Sequence, residues 1–224
     1  MQYHGKRWPL ALCLVALAGC ATGPLVKPNH IQGDLRGMVY DLDRQPLADA
    51  TISIAGGIKP EAVITDLHGR FGMGTVPFGP LTLRVVKAGY ESLNWDFRFS
   101  EESQVLYLQL ASSDQLLGRA AAALEKKEWR EFYAYLDRAK ILAPGSLQGL
   151  ILSATASEQQ GKGGEAVTLL ETYPSEPPVL AVELYLGDLY AAQGKNDRAV
   201  LHWRKALVIK EDAEVRAKIE KVTR

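Results

Sequence analysis

Three aspartates have the side-chain chemistry of a cation site. Asp41, Asp43 and Asp66 supply carboxylate oxygens, which are the ligands that Ca²⁺ prefers. They do not form the Asp-x-Asp-x-Asp-Gly loop with a terminal glutamate that binds calcium, and each lies among turn-forming residues. Aspartate oxygens in turns accept hydrogen bonds from nearby backbone amides. The sequence therefore favours turn aspartates over a metal site.

The histidines and serines do not form a catalytic set. His68 lies beside a turn glycine, and His202 is next to Trp203 in a predicted helix, so we expect both imidazoles to face water. No serine has the Gly-x-Ser-x-Gly frame of a nucleophile. We predict no catalytic residues, no metal and no cofactor, and a protein that is not an enzyme.

One glycine-rich stretch has the composition of a phosphate-binding loop. Gly161-Lys162-Gly163-Gly164 lacks the Gly-x-x-x-x-Gly-Lys-Ser/Thr spacing that cradles phosphates. It falls between two predicted helices, where a turn is needed. We interpret it as an inter-helix turn.

The first 19 residues have the charge and hydrophobicity of an export signal. Lys6 and Arg7 precede an apolar run of nine residues from Leu10 to Ala18, whereas a membrane span needs about 20. The run ends in Leu17-Ala18-Gly19-Cys20, which resembles the box of bacterial lipoprotein signals. The resemblance implies cleavage between Gly19 and Cys20 and attachment of fatty acyl chains such as palmitate to Cys20. An ordinary secretory signal and an N-terminal transmembrane anchor are the alternatives.

This interpretation sets the expected location. Residues 20–32 then form the lipidated cysteine and a flexible tether, and the multiply acylated Cys20 holds the chain on a membrane. By the same resemblance, Ala21 favours outer-membrane sorting, with the protein facing the periplasm or the cell surface. Cys13 leaves with the signal, so the mature chain has no second cysteine for a disulfide.

The charge balance excludes one class of partner. Removing residues 1–19 leaves 24 basic and 26 acidic side chains, which gives no electrostatic case for binding nucleic acid. After Cys20, no apolar run of 18 residues is present that would span a bilayer.

Residues 33–111 alternate between apolar and polar side chains with the period of a β-strand. Leu81, Leu83 and Val85 alternate with Thr82 and Arg84, and turn-forming residues interrupt the pattern every 8–12 residues. About seven short strands of this kind predict an antiparallel β-sandwich.

The spacing of the turns resembles the carboxypeptidase regulatory-like domain, a transthyretin-like β-sandwich. The most specific match is Thr65-Asp66-x-x-Gly69-x-Phe71, followed by Val76-Pro77-x-Gly79. The resemblance implies an accessory module without catalytic residues. Some relatives with this fold bind carbohydrate, and here only Trp95 and Tyr107 offer exposed aromatic side chains for it. Binding of glycan or peptidoglycan by the sandwich is therefore the alternative function.

From Ala111 onward the period becomes 3.6 and alanine, leucine, glutamate and lysine predominate. Ser112-Ser113-Asp114 is a candidate helix N-cap, which places a boundary with almost no linker before a helical domain at 112–224. The short linkage indicates two parts in a fixed arrangement.

The helical segment repeats at a spacing of about 34 residues. Its clearest unit resembles the tetratricopeptide repeat (TPR), with Glu183 where the family usually has tryptophan. The resemblance implies helix pairs at about 113–146, 147–179 and 180–213 and a capping helix at 213–223. A plain helical bundle is the alternative. The residues matching the TPR packing positions are Leu186, Gly187, Tyr190, Ala199, Trp203 and Ala206.

In TPR proteins the first helix of each pair lines a groove that binds a partner. The positions that map to this groove mix apolar and acidic side chains, which suits an amphipathic or extended peptide with some positive charge. We therefore predict a non-enzymatic membrane lipoprotein of the cell envelope that acts as a protein-interaction scaffold or assembly accessory. The candidate groove residues are Gln148, Ile151, Thr155, Glu158, Leu184 and Asp188.

Overall fold

The computed structural model describes residues 32–55, 62–174 and 176–224, in which seven strands are followed by seven helices. This order confirms the predicted change from β to α structure. Gly19, Cys20 and nearly all of the predicted tether lie outside the described residues. The strands are β1 (Gln32–Tyr40), β2 (Thr51–Ala55), β3 (Val63–Ile64), β4 (Arg70–Pro77), β5 (Gly79–Val86), β6 (Leu93–Phe99) and β7 (Val105–Gln109). The helices are α1 (Ser113–Glu125), α2 (Trp129–Leu142), α3 (Leu147–Gln159), α4 (Gly163–Glu171), α5 (Leu180–Ala192), α6 (Asn196–Ile209) and α7 (Ala213–Thr223).

The strands form two small sheets, with the orders β4-β1-β7 and β3-β2-β5-β6. All pairs are antiparallel except β1 and β7, which run parallel from Arg36 opposite Val105 to Tyr40 opposite Gln109. The prediction of a wholly antiparallel arrangement is therefore wrong for this pair. Alternating hydrophobicity determines which face of a strand is buried, but it carries no information about strand direction.

One hydrophobic cluster joins the inward faces of the two sheets. Leu35 and Val39 of β1 and Ile52, Leu83 and Val85 of the other sheet are all fully buried within it. These residues alternate with exposed neighbours, as strands with one buried face require. Burial along these strands therefore follows the predicted period of two residues.

The turn before β4 shows why this stretch needs its particular residues. The Oδ1 atom of Asp66 accepts hydrogen bonds from the backbone amides of His68 at 2.8 Å and Arg70 at 2.9 Å. These bonds hold the pKa of the Asp66 carboxyl below its usual value, the amide of Arg70 contributing most. Gly69 has a φ of 71°, and a Cβ there would lie 2.4 Å from the carbonyl oxygen of Val39. Glycine is therefore required at this turn.

The helices stand in antiparallel pairs α1–α2, α3–α4 and α5–α6, followed by α7. Ser112 is the N-cap of α1 and forms a capping box with Gln115, as the N-cap prediction requires. Gly161 and Gly194 follow the first helix of the second and third pairs with φ values of 77° and 71°. Glycine takes these left-handed conformations easily, so both turns can reverse the chain within a few residues. Within the described residues, no helix has both the length and the apolar character to cross a membrane.

Direct contacts join the strands to the first helix pair. Leu42 packs into the hydrophobic cluster formed by α1 and α2. The Arg119 guanidinium lies 3.1 Å from Asp43 Oδ1. Arg138 donates from Nε and Nη2 to the two carboxylate oxygens of Glu91, at 2.8 and 2.6 Å. The two parts are thus fixed to one another by an apolar contact flanked by ion pairs.

Candidate functional site

The third helix pair depends on the close approach of α5 and α6 at Gly187. A Cβ at this position would lie 2.3 Å from Cδ1 and 2.4 Å from Nε1 of Trp203, so no larger residue fits without movement. Trp203 fills the space between the helices and is only 2% exposed. All the predicted packing positions are buried: Leu186, Gly187, Tyr190, Ala199, Trp203 and Ala206.

A buried carboxylate occupies position 183, which the sequence analysis matched to the usual tryptophan of the tetratricopeptide repeat. Glu183 is 2% exposed, and its Oε2 atom lies 2.7 Å from Nδ1 of His202. The Nζ atom of Lys205 lies 3.9 Å from Oε1. A buried carboxylate needs such partners, because removing a charge from water costs several kcal/mol (on the order of 5) unless it is compensated.

The prediction that His202 faces water is wrong. Its side chain is only 12% exposed, it bonds Glu183, and its ring stacks on Tyr190 with 5.5 Å between centroids and 15° between planes. The sequence placed His202 beside Trp203 and therefore on another helix face. That face of α6 also packs against α5, where the imidazole of His202 contacts the buried carboxylate of Glu183.

The hydroxyl of Tyr190 forms a second polar link, which joins the third helix pair to α4. Its hydroxyl donates to Glu171 of α4 and accepts from Nη1 of Arg198 at 3.0 Å. Burial raises the pKa of the Tyr190 hydroxyl, and the carboxylate of Glu171 adds to the increase. Tyr190 therefore connects α4, α5 and α6.

Two of the predicted groove residues meet at the side chain of Tyr185, which the sequence analysis missed. The Tyr185 hydroxyl donates to Glu158 Oε2 at 2.6 Å and lies 3.2 Å from Thr155 Oγ1. Burial, followed by the bond to Glu158, raises the pKa of Tyr185 to about 12. The first helices of the second and third pairs, α3 and α5, thus share one surface. The repeat spacing that carries Ile151 and Thr155 to Leu184 and Asp188 passes over Tyr185, so it could not have identified this residue.

The remaining predicted groove residues differ in their environments. Gln148 is exposed, and Ile151 and Leu184 are half-buried. Asp188 is engaged within the chain, because its Oδ1 atom accepts from Trp203 Nε1 at 3.1 Å and from Lys218 Nζ at 2.7 Å. Asp188 therefore fastens α7 to the third pair in addition to its place on the predicted groove surface.

The first helices carry mostly negative charge. Together α1, α3 and α5 contain five carboxylates and one guanidinium, that of Arg119. Arg119 is paired with Asp43, and Glu183 is buried, so neither charge is available to a ligand. Asp188 is paired with Lys218, so the exposed carboxylates that remain on this surface are those of Asp114, Glu125 and Glu158. An acidic surface with half-buried apolar side chains favours a cationic, partly apolar ligand.

The carboxylates and cavities of the described ranges bear on metal and small-molecule binding. No group of three or more His, Cys, Asp and Glu side chains is positioned to hold a metal ion there. The Oδ1 atom of Asp41 accepts from the amides of Asp43 and Gln45, both at 2.8 Å, and so serves the turn. A cavity of about 120 Å³ lies between the first two helix pairs, beside Leu117 and Leu169. A wider and more open depression of about 450 Å³ lies on α4, beside Glu165 and Leu169. Pockets for small-molecule ligands are usually on the order of 300–1,000 Å³.

The two aromatic side chains considered for carbohydrate binding lie on different sheets. Trp95 on β6 stacks on Phe97 with 5.3 Å between ring centroids. Tyr107 projects from the outer face of β7 and is 68% exposed. Glycan binding by this part of the chain stays a prediction.

Comparison with known proteins gives structural similarities only. No protein-family model matches the chain, and no curated protein sequence matches it. The N-terminal domain of stress-induced protein-1 (STI-1) from C. elegans is 17% identical, with a TM-score of 0.44 over 50% of this chain and 94% of that domain. The Arabidopsis OM64 TPR domain is 15% identical, with a TM-score of 0.43 over 50% of this chain and 93% of that domain. The first TPR domain of Spaghetti (RPAP3), bound to the HSP90 peptide SRMEEVD, is 12% identical, with a TM-score of 0.44 over 50% of this chain and 90% of that one.

Proposed function

We propose that this chain is a non-enzymatic lipoprotein of the cell envelope whose helix pairs bind a protein partner. The observation that carries the proposal is the shared surface of α3 and α5, where Glu158, Thr155 and Tyr185 meet beside half-buried apolar residues. The exposed charge on the first helices is acidic. The partner is therefore a basic, partly apolar peptide segment of another protein.

The proposal assigns the two halves to known architectures. The helix pairs form a short TPR solenoid with α7 as its capping helix, supported by the close packing of Gly187 on Trp203. The two sheets form a β-sandwich of the carboxypeptidase regulatory-like kind, supported by the Asp66–Gly69 turn and the buried Phe71 that follows it. In this proposal the helices recruit the partner, and the strands follow the lipid-anchored segment along the chain.

Affinity capture with the full chain as bait tests the partner surface. Glu158→Lys reverses the charge at the centre of the surface. Glu165→Lys makes the same change at an exposed position of α4, which is the second helix of its pair and lies outside the proposed surface. We expect the wild type and Glu165→Lys to recover the same discrete protein and Glu158→Lys to lose it. Equal recovery by all three chains, or no specific recovery by any, would contradict the proposed surface.

The location part of the proposal rests on the sequence around Cys20. Mass spectrometry of the N-terminus of the protein purified from its native host shows which residue comes first and whether it carries lipid. We expect the mature chain to begin at Cys20 with the added mass of fatty acyl chains. Recovery of an intact Met1 without added lipid would exclude the anchor and leave the helical surface to be judged separately.

A further inference from the structure

The side of α6 that points away from α5 carries exposed aliphatic and cationic side chains. Trp203 packs on Gly187 of α5, so the opposite side of α6 faces solvent. Val208 is 86% exposed and Leu201 is 53% exposed, about two turns apart on this same side of the helix. We name this surface the α6 face. Its aliphatic and cationic members are Arg198, Leu201, Arg204, Lys205, Val208 and Ile209.

The charge of the α6 face is positive. The helix contains three cations and one carboxylate, that of Asp197 in its first turn, and Lys210 follows directly after the helix. Lys205 lies 3.9 Å from the buried Glu183, whereas Arg204 forms no ion pair within residues 32–55, 62–174 and 176–224. The first helices carry an acidic surface, so the α6 face has the opposite charge from the proposed peptide surface.

Aliphatic side chains flanked by cations suit the surface of an anionic bilayer. Lysine and arginine bind the lipid phosphates, and aliphatic side chains enter the boundary between the headgroups and the acyl chains. Protein partners are more often anchored by aromatic and arginine side chains that fill pockets. The α6 face has no aromatic side chain, and its aliphatic side chains project from a convex helix surface. A deformable lipid surface accommodates such projections without a matching pocket, so this chemistry favours lipid over protein.

We propose that the α6 face docks on an anionic membrane surface. Leu201 and Val208 enter the headgroup boundary, and Arg204 binds lipid phosphates. A few cations and two aliphatic side chains bind a bilayer only weakly on their own. The biological context therefore rests on the lipid anchor proposed above, which keeps the α6 face at a high local concentration near the membrane. The α6 face shares no residue with the surface of α3 and α5, so both surfaces can be occupied at once.

Cosedimentation with vesicles tests the docking. The protein is residues 20–224 with Cys20→Ser, which contains every residue that the structure describes and carries no acyl chain. One set of vesicles is phosphatidylcholine alone, and the other contains equal parts of phosphatidylcholine and phosphatidylglycerol. We expect binding to the anionic vesicles only. Binding should fall as the salt concentration rises, because salt screens the attraction.

Substitutions within the α6 face separate its two contributions. Leu201→Gln combined with Val208→Gln removes the aliphatic part and is expected to lower the partition constant about tenfold. Arg204→Glu reverses one charge and is expected to lower it by about tenfold or more. These side chains are exposed, and circular dichroism checks that the variants fold.

Matched substitutions on α2 provide the control. Like α6, α2 is the second helix of its pair, and its Ile141 is 81% exposed and its Arg130 is exposed. Ile141→Gln and Arg130→Glu are each expected to keep the binding of the parent chain. Equal losses on both helices would show that binding follows the net charge and would overturn the proposal. A chain that does not bind the anionic vesicles would overturn it too, including one whose α6 face binds an acidic protein instead.

This experiment is independent of the tests of the proposed function. The chain carries no lipid and the assay contains no protein partner, so a failure to bind vesicles leaves the anchor and the surface of α3 and α5 unaffected. Conversely, an unlipidated chain from the native host, or a failed capture with Glu158→Lys and its control, would leave the measured affinity of the α6 face for vesicles unchanged.

Discussion

At the scale of single residues, Gly187 is the tightest point in the helical half. Gly187→Ala places a methyl group within 2.4 Å of two atoms of the Trp203 ring. The ring is 2% exposed and packed on all sides, so α5 and α6 must separate to relieve the overlap. We expect a loss of about 2–3 kcal/mol in the free energy of unfolding, measured by urea denaturation.

Gly118→Ala is the matched control for this substitution. Gly118 also lies within a helix, α1, but a Cβ there has no neighbouring atom within 4 Å. Alanine is the better helix former, so the expected change is a gain of about 0.5–1 kcal/mol. A gain for Gly187→Ala similar to that of Gly118→Ala would show that helix propensity, and not the Trp203 contact, governs Gly187.

The buried carboxylate of Glu183 is expected to stabilise the fold through its contact with His202. Glu183→Ala removes the carboxylate that bonds His202 and leaves a small cavity among buried side chains. We expect a loss of about 2–3 kcal/mol of stability. Glu165→Ala removes an exposed carboxylate, paired with Lys162 at 3.5 Å, and is expected to change stability by less than about 0.5 kcal/mol. A small effect at both positions would contradict a structural role for the buried pair.

At the scale of elements, periodicity was sufficient to locate the strands and helices. Burial alternates along β1 and β7, and the buried Leu116, Ala120 and Ala123 follow helical spacing along α1. The parallel pairing of β1 with β7 could not be predicted, because 64 residues separate the ends of these strands and nothing local encodes their relative direction. Local patterns determine elements, whereas long-range pairing depends on how the whole chain packs.

In the candidate site, too, the sequence predicted positions better than it predicted contacts between side chains. Thr155 and Glu158 were predicted from repeat spacing, and the structure brings both to the hydroxyl of Tyr185. The contact between His202 and Glu183 was missed, since neighbouring residues along a helix indicate the face of a side chain but not its partner. Repeat position identified Glu183 as unusual, and only three-dimensional proximity identified its partner.

The contact between α3 and α5 predicts a dependence on alkaline pH. The pKa of Tyr185 is raised to about 12 by burial and by its bond to Glu158, whereas an unfolded tyrosine ionises near pH 10. The folded state thus holds this proton more tightly than the unfolded state. The corresponding stability is fully present below about pH 10 and is lost as the pH rises toward about 12.

Urea denaturation at a series of pH values from about 9 to about 11.5 measures this effect. This range covers the ionisation of unfolded tyrosine and approaches that of folded Tyr185. We expect the free energy of unfolding of the wild type to fall more steeply than that of Tyr185→Phe. Tyr107→Phe, at a side chain that is 68% exposed, serves as the control and should follow the wild type. Equal slopes for the wild type and Tyr185→Phe would contradict the assigned environment of Tyr185.

At the scale of the whole molecule, the strands and helices are built as one unit. The helical cluster formed by α1 and α2 includes Leu42, which belongs to the turn after β1. The ion pairs of Arg119 with Asp43 and of Arg138 with Glu91 lie beside it, but they are half-exposed, and such pairs contribute only about 0–1 kcal/mol each. We therefore expect the apolar contact at Leu42 to contribute more to the coupling of the two parts than these ion pairs do.

Leu42→Asp tests this coupling by placing a carboxylate against the apolar side chains of α1 and α2. We expect a loss on the order of 2 kcal/mol, because an apolar side chain leaves the cluster and a carboxylate takes its place. We also expect one cooperative transition to separate into two. Hydrogen exchange at increasing urea distinguishes the segments, since amides of β5 and α1 become exposed together in the wild type and at different urea concentrations in the variant. Leu67→Asp makes the same change at a leucine that is 83% exposed, and should preserve the single transition. If Leu42→Asp also unfolds in one step, the ion pairs and the backbone connection at Ala111 hold the parts together, and the apolar contact is not the principal link.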